Sequence, residues 1–136
     1  MKKILLLLTI SFTLLSCGIE DNQYEYLSIV PVKSVEMPTA YKVDSITQIP
    51  ISYLKPTPCH QFSNFYYNSI GNERTVAIYC VANNTQDCAP NTDYITTVPL
   101  NFKPNHAGIY KFRFWTGVNV TSGVDEYIEH EITVNN

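Results

Sequence analysis

Four thiols and three imidazoles are the side chains of this sequence best suited to chemistry: Cys17, Cys59, Cys80, Cys88, His60, His106 and His130. A thiol can be a nucleophile, a metal ligand or half of a disulfide, and its context decides which. Metal binding needs several ligands at set spacings. No C-x-x-C pair occurs, and His60 beside Cys59 is not enough. Catalysis needs a nucleophile activated by a base, or paired acids. None of the histidines sits in such a motif, and no GxSxG, HExxH, P-loop or GxGxxG pattern appears. In EYIEHEITV, alternation sets His130 with Ile128 and Ile132, opposite Tyr127, Glu129 and Glu131. That reads as a satisfied strand histidine behind an exposed acidic face. No catalytic residue, metal or cofactor is expected, and the chain reads as non-enzymatic.

Cys17 differs through what precedes it. Lys2 and Lys3 form a positive start, and Ile4 to Leu15 form an apolar run broken only by Thr9, Ser11 and Thr13. A spanning helix needs ~20 residues, and this run is shorter, as in a secretory signal. Leu14-Leu15-Ser16-Cys17 resembles the lipobox of bacterial lipoproteins. The resemblance implies diacylglycerol on the Cys17 thiol, cleavage after Ser16, and acylation of the new amino terminus by a palmitate-like chain. Two or more acyl chains hold a protein stably at a membrane. Gly18 stands where that class carries an aspartate for retention at the inner membrane, so the outer membrane is implied. Glu20-Asp21 resemble the acidic signal that exports some lipoproteins to the cell surface; two acids in a solvated tether are the plainer reading. The expected organisation is a signal peptide over 1–16, a lipidated cysteine and polar tether over 17–26, and one domain over 27–136.

Without the leader about 120 residues remain, enough for one domain with a real core. Loss of Lys2 and Lys3 moves the net charge from −3 to about −5. Such a chain lacks the basic footprint of a nucleic-acid binder. Its aromatic content, 12%, against 15% charged residues argues for folding rather than disorder.

In an oxidising compartment the three remaining cysteines predict one disulfide and one free thiol. In ERTVAIYCVAN, Cys80 shares a strand phase with Val76 and Ile78, which places it in the core as a buried thiol. Cys59 and Cys88 lie in turn-like segments, PTPCH and TQDCAPN, where a staple is sterically easier. Cys59–Cys88 is the favoured pair. It would contribute ~3–4 kcal/mol on the chain-entropy model.

These residues need a frame, and the frame is β-rich. Strands are expected near 27–36, 46–54, 62–69, 74–82, 94–102, 109–116 and 126–134, with Gly-, Asn- and Pro-containing turns between them. Pro31, Pro50 and Pro99 fall inside strands and push these toward edges or bulges. No segment has a sustained helical period. About seven strands in this length predict an all-β fold, a single immunoglobulin-like antiparallel β-sandwich. Gly108-Ile109-Tyr110-Lys111-Phe112 resembles the tyrosine corner of such domains. That implies a bond from the Tyr110 hydroxyl to backbone upstream, with Phe112 in the core where the family has cysteine. In YKFRFWT, Tyr110, Phe112 and Phe114 share the core face, and Lys111, Arg113 and Trp115 the solvated one. Most of the mature chain also resembles small bacterial lipoproteins carrying stretches like YLKPTPCH, ERTVAIYC and YKFRFW; this supports a shared fold and brings no activity.

The aromatics are the one suggestive group. QFSNFYYN clusters rings, and Tyr66, Tyr67 and Trp115 are candidate ligand contacts, able to stack on a sugar ring or to form a protein-binding patch. The plainer reading is that tyrosine suits a strand with a wet hydroxyl. Asp44-Ser45-Ile46 resembles an O-glycosylation acceptor of some exported bacterial proteins, which makes Ser45 a candidate modification site. Two functions follow. The first is a lipid-anchored envelope module that binds an unknown protein or glycan, or is structural, at the outer membrane, facing periplasm or surface. The second is a small envelope enzyme, or an enzyme inhibitor, acting through disulfide-fixed loops. A concave site with His60 or His106 beside a carboxylate favours the second, and a flat aromatic patch the first. For the anchor, a clickable fatty acid is expected to label the wild type and not Cys17→Ser; label on the variant would refute it.

Overall fold

The computed structural model describes residues 25–83, 88–90 and 93–136. The expected signal peptide over 1–16, Cys17 and the expected tether up to residue 24 lie outside them. The first strand opens at Glu25, two residues before the expected start of the domain. Among the described residues there is no helix. The described residues form nine strands: β1 (Glu25–Val30), β2 (Val32–Val35), β3 (Tyr41–Lys42), β4 (Thr47–Leu54), β5 (His60–Ile70), β6 (Glu73–Asn83), β7 (Ile95–Phe102), β8 (Gly108–Val118) and β9 (Asp125–Asn135).

Two sheets face each other. The larger runs β1-β6-β8-β9-β3 with β5 on the other side of β6, and the smaller runs β2-β4-β7. The all-β sandwich is therefore as expected, with two differences. First, the count is nine. Pro31 splits the expected first strand, because it cannot donate to a ladder and fixes φ; the chain passes there from the large sheet (β1) to the small one (β2). The two-residue β3 then returns to the large sheet. Second, the large sheet is mixed. β6 pairs β8 in parallel over Glu73–Val76 and Lys111–Phe114, and β3 pairs β9 in parallel. Alternation along a strand reports its faces and not its direction, so an all-antiparallel reading missed these contacts.

The prolines behave unequally. Pro99 lies on edge strand β7, as expected, but Pro50 lies on β4, the centre of the small sheet, directly opposite Pro99. The Pro50 carbonyl accepts from the Glu36 amide at 3.0 Å. Its backbone polar groups thus point toward β2, which ends at Val35, so the missing donor interrupts no ladder.

The core lies between the sheets. Ile49, Ile51 and Tyr53 of β4 and Leu100 and Phe102 of β7 meet Val76, Ile78 and Cys80 of β6 and Tyr110, Phe112 and Phe114 of β8. Phe102 is the hub, edge-on to Phe112 (4.9 Å between centroids), Tyr110 (5.4 Å) and Tyr41 (6.1 Å). Such pairs contribute ~0.5–1.5 kcal/mol each beyond area burial. The tyrosine corner is present: the Tyr110 hydroxyl donates to the His106 carbonyl at 3.1 Å. Cys59 and Cys88 form a disulfide across 29 residues, and Cys80 is a buried free thiol.

These environments rank three substitutions on β8. Phe112→Ala empties a fully buried site and is expected to cost ~3–5 kcal/mol. Tyr110→Phe removes one hydroxyl whose carbonyl partner belongs to the exposed His106, so water can replace it and the cost should be about 1 kcal/mol. Lys111→Ala breaks one exposed ion pair and should stay within about 0.5 kcal/mol. Urea midpoints check the order; a larger loss for Lys111→Ala than for Phe112→Ala would refute this core.

Candidate functional site

The outer face of the large sheet carries a groove of about 260 Å³ lined by Ile29, Tyr66, Thr75, Ala77, Tyr79, Trp115, Asp125 and Tyr127. Its cause is topological. One edge of β6 is shared: β1 pairs with its second half, Ile78–Asn83, and β8 with its first, Glu73–Val76. Ala77 falls between the two partners, and its small side chain forms the floor. Alternation then supplies the walls. Thr75 and Tyr79 of β6 and Tyr66 of β5, opposite Ala77, point outward with Trp115 of β8 and Tyr127 of β9. The β8–β9 register slips between Trp115 and Gly117. Gly117 takes φ 122° there, a value side chains disfavour, so glycine is needed at this bulge beside Trp115.

Polar contacts fix the walls. The Trp115 indole N–H donates to Asp125 Oδ1 at 2.8 Å, which sets the ring. Tyr66 and Tyr79 meet edge to face at 6.4 Å. The Arg113 guanidinium lies 4.1 Å over the Tyr127 ring and donates through Nε to Glu129 Oε1 at 3.0 Å, with Glu73 at 3.4 Å. Lys111 reaches the other Glu129 oxygen at 2.8 Å. The Lys111 hydrogen bond, seconded by Arg113, holds the Glu129 carboxyl below its ordinary range. Lys111 and Arg113 are thus neutralised by their neighbours. What remains is a set of rings with a carboxylate and a hydroxyl at hand, suited to stacking and neutral hydrogen bonding.

The structure brings Tyr66 and Trp115 together and leaves Tyr67 out. Tyr67 is opposite Val76, on the inner side of β5 near Arg74. Successive strand residues take opposite faces, so Tyr66 and Tyr67 could not share one. Tyr79, Tyr127 and Asp125 were missed. Their phase was legible, since Tyr79 alternates with core residues and Tyr127 shares the face of Glu129 and Glu131, but their meeting depends on strand pairing. Ser45 is exposed in the turn after β3, between Asp44 (φ 60°) and the exposed Ile46, so the candidate acceptor is accessible.

The histidines are held by structure. His106 stacks on Tyr110 at 5.2 Å, with Nδ1 3.3 Å from its hydroxyl. His130 is half-buried on the inner face, edge-on to Phe114. Beside the disulfide lies a polar hollow lined by Glu25, Cys59, Gln61, Phe62, Ser63, Val81 and Asn83. Among the described residues that line it there is one carboxylate and no imidazole, because His60 turns inward and is only 5% exposed. His60 Nδ1 lies 2.7 Å from Thr57 Oγ1, and Tyr26 meets its ring edge-on. Among the described residues no group of three His, Cys, Asp or Glu side chains could hold a metal.

Burial, with Lys55 nearby, pushes the His60 imidazole below its ordinary value. The unfolded chain therefore takes up this proton first as pH falls below ~6.5. Stability is lost from there down to the depressed folded value. His60→Asn is expected to reduce the fall in urea midpoint between pH 7.5 and 5.5. An undiminished fall would show that His60 is not its source.

Comparisons with protein-family models, with curated proteins and with solved structures return no match, so the function rests on the residues of the groove.

Proposed function

We propose that this chain is a lipid-anchored binding module of the bacterial envelope, tethered through Cys17 at the outer membrane, whose ligand is a saccharide. The observation that carries the reading is the groove: Tyr66, Tyr79, Trp115 and Tyr127 come from four strands around Ala77. A sugar offers an apolar C–H face and a rim of hydroxyls. Rings take the first, and the Asp125 carboxylate and Thr75 hydroxyl take the second. At about 260 Å³ the groove is below the ~300–1,000 Å³ typical of clefts that enclose a whole small molecule. That suits one unit of a longer glycan lying along an open face. The module is non-enzymatic in this reading, since the groove pairs no base with a nucleophile.

Trp115 is the sole tryptophan, so its fluorescence reports the groove directly. Titration with oligosaccharides from peptidoglycan and from lipopolysaccharide cores is expected to give a saturable change with one class. Tyr66→Ala should weaken that binding about tenfold, the ~1.4 kcal/mol scale of a lost aromatic contact. Ile70→Ala, at the far end of β5, should leave it unchanged. Equal affinity of Tyr66→Ala and wild type would refute the groove as the site.

A further inference from the structure

We infer that the end of the sandwich from which the chain departs toward Cys17 rests on the bilayer, with the β8–β9 turn in contact with lipid. The inference rests on the lipid-anchor reading above. Strand directions define this end. Glu25, where β1 begins, pairs with Asn83, the last residue of β6. Because β6 and β8 are parallel, the last residue of β8, Val118, lies at the same end. So does Leu54 of β4, which leads through Cys59 to His60, paired with Ala82; Ile95 pairs with Leu54.

This end carries exposed apolar side chains beside its charged ones. Val118, Val120 and Val124 of the turn, Tyr26 and Leu27 of β1, and Ile95 of β7 are each about half exposed or more. Val120 is 101% exposed. Val118, Val120 and Val124 lie within seven residues on one hairpin tip, and exposed apolar side chains so grouped mark an interaction site. The turn that carries them is built to hold still. Asn119 Oδ1 accepts from the amides of Thr121 and Ser122, both at 3.0 Å, and its Nδ2 donates to Glu126 at 2.8 Å. The Asn119 amide and carbonyl bond Val124 and Gly123, both at 2.8 Å, and Gly123 takes φ 69°. Val120 is therefore presented outward by a cross-braced turn.

Chain length selects lipid as the occupant. From Cys17 to Glu25 there are about eight steps, which span at most ~28 Å when fully extended. An anchor at Cys17 keeps this end near the membrane surface. Strands of 11 residues hold the opposite end, with Ile70 and Ile109, roughly 35 Å further off. Among the described residues near this end the charged ones are Glu25, Lys33, Lys55, Asp93, Asp125 and Glu126, acidic on balance, so charge does not draw the tip to an anionic surface and the contact is apolar.

The test uses the full lipidated chain in vesicles of phosphatidylethanolamine and phosphatidylglycerol. A fluorophore sensitive to polarity is attached at Val120→Cys or, as control, at Ile70→Cys. Both sites are exposed, so neither substitution threatens the fold. Flotation with the vesicles checks the anchor separately. The expected result is a blue shift at position 120 with at least twofold quenching by doxyl-labelled lipid, and neither effect at position 70. A chain that floats with position 120 unquenched keeps the anchor and overturns the inference. A blue shift without lipid quenching would mean that protein covers the tip, which also overturns it. A chain that fails to float removes the anchor, and the inference with it.

Discussion

Four parallel pairs between β6 and β8 set the phase of the whole molecule. Glu73, Arg74, Thr75 and Val76 stand against Lys111, Phe112, Arg113 and Phe114. Because both strands alternate, this one register puts Val76, Ile78 and Cys80 beside Phe112 and Phe114 in the core. It puts Thr75, Ala77 and Tyr79 beside Arg113 and Trp115 outside. A slip by one residue would exchange the two faces and set charges against the small sheet. The burial of three rings from β8, each contributing ~1.5–3 kcal/mol, opposes any such slip. The groove is therefore a by-product of the register that makes the core.

Local devices hold the ends of these strands. Arg74 is buried where the β5–β6 turn meets the start of β8, yet its Nη1 donates to the carbonyls of Gly71 and Glu73 at 2.7 and 2.8 Å, and its guanidinium lies 5.0 Å over Tyr110. Buried charge is tolerated when it is hydrogen-bonded. Asn72 Nδ2 donates to the Ile109 carbonyl at 2.8 Å and the Lys111 amide to the Asn72 carbonyl at 3.1 Å, joining the same two elements. At the other end the disulfide holds the β4–β5 connection to the segment after β6. β5, an edge strand without a formally charged side chain, has its flatness broken by the register shift between Phe62 and Asn64.

Much of the frame could be read from residue types, for a physical reason. Strand faces follow from alternation, so the burial of Phe112, the exposure of Lys111 and the free thiol of Cys80 needed no knowledge of partners. The Cys59–Cys88 bridge followed by elimination once Cys80 was in the core. The Tyr110 bond followed from a local motif whose two ends are four residues apart. What alternation cannot reveal is which strands are neighbours and in what direction. The parallel contacts, the central position of Pro50 and the recruitment of Tyr79, Tyr127 and Asp125 all depend on pairing across long separations. Tyr67 is the instructive case, because its phase opposite to Tyr66 was available from period two alone.

The groove and the tether end are related by the same geometry. The tether end lies along the strand direction of β6 and β8, whereas the groove opens perpendicular to the sheet, at the middle of β6 and beside the last residues of β8. In the proposed orientation, with the β8–β9 turn on lipid, strands stand upright and the groove faces sideways, its Trp115 three residues above the end of β8. The ion pairs of Arg113 and Lys111 lie further from the membrane on the same face, where their charges are already satisfied by Glu73 and Glu129. They fix the wall under Tyr127 and present no free cation to an anionic ligand. In the proposed function the groove favours ring stacking and hydroxyl contacts over phosphate or carboxylate, and this rests on the neutralised ladder as much as on the aromatic side chains.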